Sequence, residues 1–286
     1  TDIILIDTDK VISKVGSVKS INSRNYRYSK ALYTVDFYKS YVKYIQPIIL
    51  SANGKSKKVL AIDCDNTLWK GVLGEDGFDK IEMSLLTKDG SIFHDVQNLI
   101  LALVDRGVIL CLVSKNNIVD IDNVIENHTD MNISNDSIVL KKINWNDKVA
   151  NISEISNELN VGLDSIVFLD DSSFEVDSVQ KLLPEVVALQ VPKRLYEFPT
   201  MFEKEVIPLF YNLSNSSNDI KKTKMYKDQY LRKLAKKKFD NIDGYLKSLN
   251  IRISADINHL DSISRIAQLT QKTNQFNLTT RRYTES

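Results

Sequence analysis

From Lys58 to about Pro192, short runs of Val, Ile and Leu alternate with longer stretches whose apolar residues recur every three to four positions. Uninterrupted apolar runs of this length read as strands buried on both faces, and the amphipathic stretches between them read as covering helices. Five strands are predicted: VLAID (59–63), VILCLVS (108–114), SIVLKKI (137–143), SIVFLDD (165–171) and EVVALQV (185–191). FHDVQNLILALVDRG (93–107) and DKVANISEISNELN (147–160) supply two of the helices. The pattern specifies an α/β fold, a central parallel sheet with helices on both sides.

The flanks differ. Residues 1–57 read as an appendage: a leading strand, IILID (3–7), a polar loop, and an aromatic helix, TVDFYKSYVKYIQPII, closing in the turn-like SANGKSK. The main domain covers 58–213. The Ser/Asn-rich SNSSND (214–219) then reads as a linker, and 220–286 as a helical extension. Within it, residues 221–238 carry nine Lys or Arg against one Asp, which suits a solvated helix face or docking of an acidic partner.

Composition narrows the field. Lys and Arg total 38 against 37 Asp and Glu, so no global field draws the chain to nucleic acid or to an anionic membrane. No apolar run approaches the roughly 18 residues of a membrane span. The two cysteines, Cys64 and Cys111, lie inside apolar runs, which excludes a disulfide framework or zinc knuckle and fits a reducing cytoplasm. His94, His128 and His259 share no ligand spacing.

In an open parallel sheet, ligands bind beyond the carboxyl ends of the strands, so polar residues closing the strands are the candidates. Asp63 and Asp65 follow the first strand, Ser114 ends the second, Asp170 and Asp171 end the fourth, and Lys148 opens the helix before it. Carboxylates converging at one edge repel one another unless a cation is present, and an all-oxygen donor set suits Mg²⁺. Alternation sends Asp63 and Asp65 to the same side and turns Cys64 toward the core. One carboxylate can then attack phosphorus while the other exchanges a proton with the leaving oxygen. Ser114 and Lys148 offer a hydroxyl and a positive charge to phosphoryl oxygens.

DCDNT, Ser114 in LVSKNN, Lys148 in NWNDK and Asp170–Asp171 in FLDDS, in that order, resemble the four motifs of the haloacid dehalogenase (HAD) superfamily of aspartate-nucleophile phosphotransferases. The resemblance implies a Rossmann-like, three-layer αβα domain with no large cap. It makes Asp63 the nucleophile and Asp65 the general acid/base, with Ser114 and Lys148 also catalytic. The metal site is Asp63, the Asp65 backbone carbonyl and Asp170, with Asp171 close behind; Thr67, Trp69 and Asn116 are the expected substrate contacts.

DCDNTLWKGVLGEDG, INWNDKVANISEISNELNVGLDSIVFLDD and QLTQKTNQFNLTTRRYT further resemble the FkbH-like subfamily. That likeness implies removal of phosphate from a phosphoglyceryl donor, 1,3-bisphosphoglycerate, and loading of the glyceryl group onto an acyl carrier protein in bacterial biosynthesis. A plain phosphomonoesterase and a non-catalytic scaffold are the alternatives. It also implies that 1–57 is the tail of an upstream SGNH-like region and that 220–286 begins a truncated acetyltransferase-like domain, to which Arg281 and Arg282 belong. GVLGEDG (71–77) would be a small flap beside the site. The chain departs from the subfamily after the metal aspartates, where Ser172, Ser173 and Val176 replace an Asn-Pro pair and an Arg.

Overall fold

A computed structural model describes residues 3–212, together with Arg252, Ile263, Ser264, Ile266 and Ala267. The chain divides into two compact units, 1–233 and 234–286, and the elements below all belong to the first. The basic stretch 221–238, Arg281 and Arg282 lie outside the described residues.

The N-terminal region is helical: α1 (Thr8–Val15), α2 (Ser17–Ser20), α3 (Ser23–Ser29) and α4 (Val35–Ala52). The leading strand expected over 3–7 does not form. The Asp7 carboxylate accepts the backbone N–H of Asp9 at 3.0 Å and starts α1 at once, while Ile3 and Leu5 stay exposed. An apolar run becomes a strand only where a neighbouring edge takes its backbone hydrogen bonds, and a helix cap competes for the same residues. The aromatic helix forms as expected. Thr34 caps α4 by accepting from Phe37 N–H, and the buried Phe37 ring stacks on Tyr33 with centroids 3.9 Å apart.

The sheet comprises β1 (Val59–Ile62), β2 (Ile109–Ser114), β3 (Ile138–Ile143), β4 (Ile166–Asp170) and β5 (Val187–Gln190), all parallel in the order β3-β2-β1-β4-β5. Five strands were expected and five are present, shorter by one to three residues. Between β1 and β2 run α5 (Leu73–Asp76) and α6 (Gly90–Val104). Next come α7 (Ile118–Asn127), α8 (Lys148–Leu159) and α9 (Ser173–Leu182), one in each later interval; the short α10 (Phe198–Met201) follows β5.

Period two divides each central strand between two cores. Leu60, Ile62, Leu110, Leu112, Val167 and Leu169 join Phe93, Val96, Ile100 and Leu103 of α6. Val59, Ala61, Ile109, Cys111, Ile166 and Phe168 join Ile152 and Ile155 of α8 and Val176 and Val179 of α9. Burying each large aliphatic side chain contributes about 1.5–3 kcal/mol, so two full layers hold the sheet between its helices. The result is a three-layer αβα architecture. Strand order reverses between β1 and β4, because the chain builds β2 and β3 outward on one side and then returns to build β4 and β5 on the other.

Candidate active site

That reversal is where a doubly wound sheet opens a crevice, and the acidic residues sit there. Asp63 follows β1, its N–H donating to Leu169 O across the gap at 3.0 Å, and Asp170 ends β4. Lys148 comes from the opposite direction, at the first turn of α8. The Asp147 carboxylate caps that helix by accepting from Val149 N–H at 2.9 Å, which fixes where Lys148 starts. The Lys148 ammonium donates to Asp63 Oδ1 at 2.6 Å and Asp170 Oδ2 at 2.7 Å, and all three side chains are more than nine-tenths buried. Asp170 Oδ1 accepts from Ser172 N–H at 2.9 Å.

The electrostatics follow from burial. Desolvation raises the Asp63 carboxyl to about 7; the adjacent Asp170 pushes the same way and Lys148 pulls back. Burial works against the Lys148 charge, but the two carboxylates outweigh it and its affinity for the proton rises. Asp171 is also raised, by burial and then by Asp170. Asp63, Asp170 and Asp171 each offer one oxygen within 4.8 Å of the others, a group that can hold a metal ion. Three carboxylates against one ammonium leave an excess of two negative charges in a site made only of oxygen donors. A small hard dication fits that balance.

Asp65 faces elsewhere. Its Oδ1 accepts from the Trp69 indole N–H at 3.1 Å and from Leu73 N–H at 3.0 Å, and its Oδ2 accepts from the Asn116 amide at 2.8 Å. Its carboxylate is therefore outside the metal-suited cluster. The loop that carries it turns through Asn66, whose φ of 52° lies in the left-handed region that Asn tolerates. The Asn66 side chain accepts from Gly71 N–H at 2.9 Å, and Gly71 has φ 105°. Residues 71–77, expected to form a flap, fold as the single turn α5 with its flanking residues.

The structure corrects two expected substrate contacts. Trp69 and Thr67 are fully buried, so neither presents surface to a substrate; Trp69 packs in the core and turns only its N–H to Asp65. A sequence cannot say which wall of a tight loop a side chain lines. Asn116, nearly buried, spends its amide N–H groups on Asp65 and on Ser114 Oγ at 3.1 Å. Ser114 is buried at the end of β2 beside the Cys64 thiol. Cys64 faces the core, as alternation requires, and burial drives its pKa well up, followed by Asp63 and Asp65.

Two further residues escaped sequence reasoning. Gln97, fully buried on α6, donates to Leu68 O at 2.8 Å and accepts from Asn132 N–H at 2.9 Å, tying the Asp65 loop to the layer beneath. A lone amide on an apolar helix face was its signal. Lys115 pairs with the largely buried Glu175 of α9 at 2.6 Å. Of the subfamily departures, Ser172 caps α9, accepting from Glu175 N–H, and Val176 is core, out of reach of any substrate.

A five-stranded parallel sheet between two helical layers, with these side chains closing β1, β2 and β4, is a Rossmann-like three-layer domain, the fold that the HAD resemblance implies. The chain is similar to the N-terminal part of the protein BF1531 from Bacteroides fragilis, whose crystal structure contains a phosphatase domain complexed with Mg. The two share 31% identity with a TM-score of 0.65, over 72% of this chain and 54% of that one. This chain thus spans about half the length of that neighbour. A HAD family enzyme of Bacteroides thetaiotaomicron in complex with magnesium and inorganic phosphate is a more distant match, at 14% identity and a TM-score of 0.33 over 47% of this chain and 93% of that one. No family model matches the chain, and no curated protein sequence does. Among the described residues no helix is long and apolar enough to cross a membrane.

Proposed function

We propose that this domain is a Mg²⁺-dependent phosphotransferase or phosphatase working through an aspartyl phosphate on Asp63. The observation that carries the reading is the Lys148 bridge between Asp63 and Asp170 at the point of strand reversal, with Asp171 completing a cluster of three carboxylates. The Asp63 carboxylate attacks phosphorus as the bond to the leaving oxygen breaks, and Asp65 gives that oxygen its proton. Asp65 then takes a proton from the acceptor that attacks the aspartyl phosphate. Ser114 and Lys148 hold the phosphoryl oxygens. Mg²⁺, held by Asp63, the Asp65 backbone carbonyl, Asp170 and Asp171, supplies positive charge against the phosphoryl group when bound.

The finer reading is FkbH-like: the donor is 1,3-bisphosphoglycerate, the thiol of an acyl carrier protein attacks the acyl carbon as the acyl phosphate departs, Asp63 takes the other phosphoryl group from its ester oxygen and passes it to water, and the glyceryl group stays on the carrier as a thioester. It is supported by the sequence resemblance and by the β1–β2 and β2–β3 intervals, which are too short to hold a large inserted cap domain. The test is the intact mass of a candidate carrier protein after incubation with the enzyme, Mg²⁺ and a 1,3-bisphosphoglycerate-generating mixture, with free phosphate read in parallel and Asp63→Asn as control. A glyceryl-sized gain, lost in the variant, supports loading. Phosphate without a mass gain moves the reading to a plain phosphomonoesterase, and neither signal, in wild type and variant alike, favours a different donor or a scaffold.

A further inference from the structure

The second carboxylate of the site, Asp65, is held by donors from three different segments. Trp69 is four residues along the same loop, Leu73 N–H opens the flap turn α5, and Asn116 follows β2. The indole N–H is rigid and fully buried, so it has no alternative partner in water, and Asn116 is anchored in turn on Ser114. Three N–H donors on two oxygens leave the carboxylate little rotational freedom.

We infer that Trp69 and Asn116 are positioning residues that fix the angle at which Asp65 meets the leaving-group oxygen, with the flap joined to the same clamp through Leu73. This rests on the reading of Asp65 as the proton donor. A misaimed donor still leaves Asp63 to attack phosphorus, so the clamp matters most when the leaving oxygen needs a proton in order to depart. An activated phenolate departs without one. Loss of the clamp is therefore seen as a change in leaving-group dependence, which damage to folding or phosphoryl binding does not produce.

The experiment compares kcat/KM for phenyl phosphate and 2,4-dinitrophenyl phosphate, equal in shape at the reacting end, in wild type, Trp69→Phe, Asn116→Ala and Asp65→Asn, all with Mg²⁺. Trp69→Phe keeps the ring and deletes the N–H, and thermal midpoints report folding of each variant. The ratio of dinitrophenyl to phenyl rate should rise roughly 10- to 100-fold in Trp69→Phe and Asn116→Ala, part of the roughly 100- to 10,000-fold that general acid catalysis supplies, and further in Asp65→Asn. If Asp65→Asn raises the ratio and the two clamp variants do not, the positioning role is wrong while the reading of Asp65 stands. If Asp65→Asn leaves the ratio at the wild-type value, or wild type cleaves neither ester, the reading of the site falls and the clamp role with it.

Discussion

Replacing Lys148 with methionine removes one charge from the most buried ionic cluster described and keeps most of the side-chain volume. In the native protein the ammonium lies 2.6 Å from Asp63 and 2.7 Å from Asp170, each more than nine-tenths buried. Taking one partner from a buried ion group strands the others, at about 3–5 kcal/mol. That is a large share of the roughly 5–15 kcal/mol that holds a domain folded. With a urea dependence of about 2.5 kcal/mol per M, the unfolding midpoint falls by roughly 1–2 M. The sign with pH follows from Asp63. Burial already lifts its carboxyl to about 7 with Lys148 in place, and losing the ammonium lifts it further. A folded-state pKa above the unfolded value means the folded protein binds more protons, so stability is retained below about 4 and lost as pH rises through the folded pKa. Urea melts without added metal, followed by circular dichroism, should therefore show the largest deficit at pH 8 and a smaller one at pH 5. Combining Lys148→Met with Asp170→Asn removes one stranded charge and should recover part of the loss at pH 8. A Lys148→Met variant as stable as wild type at pH 8, or a double variant no better than the single, refutes the electrostatic reasoning.

Cys64 and Cys111 are fully buried with thiol pKa values driven up by burial, so neither should react with Ellman's reagent at pH 8 until urea unfolds the protein, when both titrate. Gly71→Ala places a Cβ 3.0 Å from the Asp76 carboxylate at a φ of 105°; a loss of about 1–3 kcal/mol in urea melts is expected. Gln97→Leu strands Leu68 C=O inside the core and takes the partner from the half-buried Asn132 N–H, and should lower stability by about 2 kcal/mol, whereas an exposed Gln→Leu change moves it by a few tenths.

The strands were readable because burial on both faces leaves an unbroken apolar run that few other structures produce, and β1, β2 and β4 are buried along their whole length. The convergence of Asp63, Lys148 and Asp170 was readable for a related reason: strand ends in a parallel sheet are brought together by the fold, whatever lies between them. Residues 3–7 misled because an apolar pentapeptide carries no information about a neighbouring edge, and the Asp7 cap decided the matter locally. Trp69 misled because its neighbours, Leu68 and Lys70, point to opposite environments. The path of the loop is set by Asn66 and Gly71, whose unusual backbone angles no periodicity reveals. Gln97 and Asn116 act through hydrogen bonds to distant segments, which only the folded chain brings within reach.

The flap turn at 71–77 has a consequence for how such a domain diversifies. In many enzymes the segment over the mouth can be exchanged to alter what enters while the chemistry beneath is untouched. Here Leu73 N–H holds the second carboxylate and Gly71 N–H closes the loop that bears it. Under the proposed mechanism, grafting a foreign turn onto this scaffold would therefore re-aim the Asp65 carboxylate as well as reshape the segment beside it. On that mechanism, selectivity and turnover share the same few residues, and a lineage that changed one would have had to renegotiate the other.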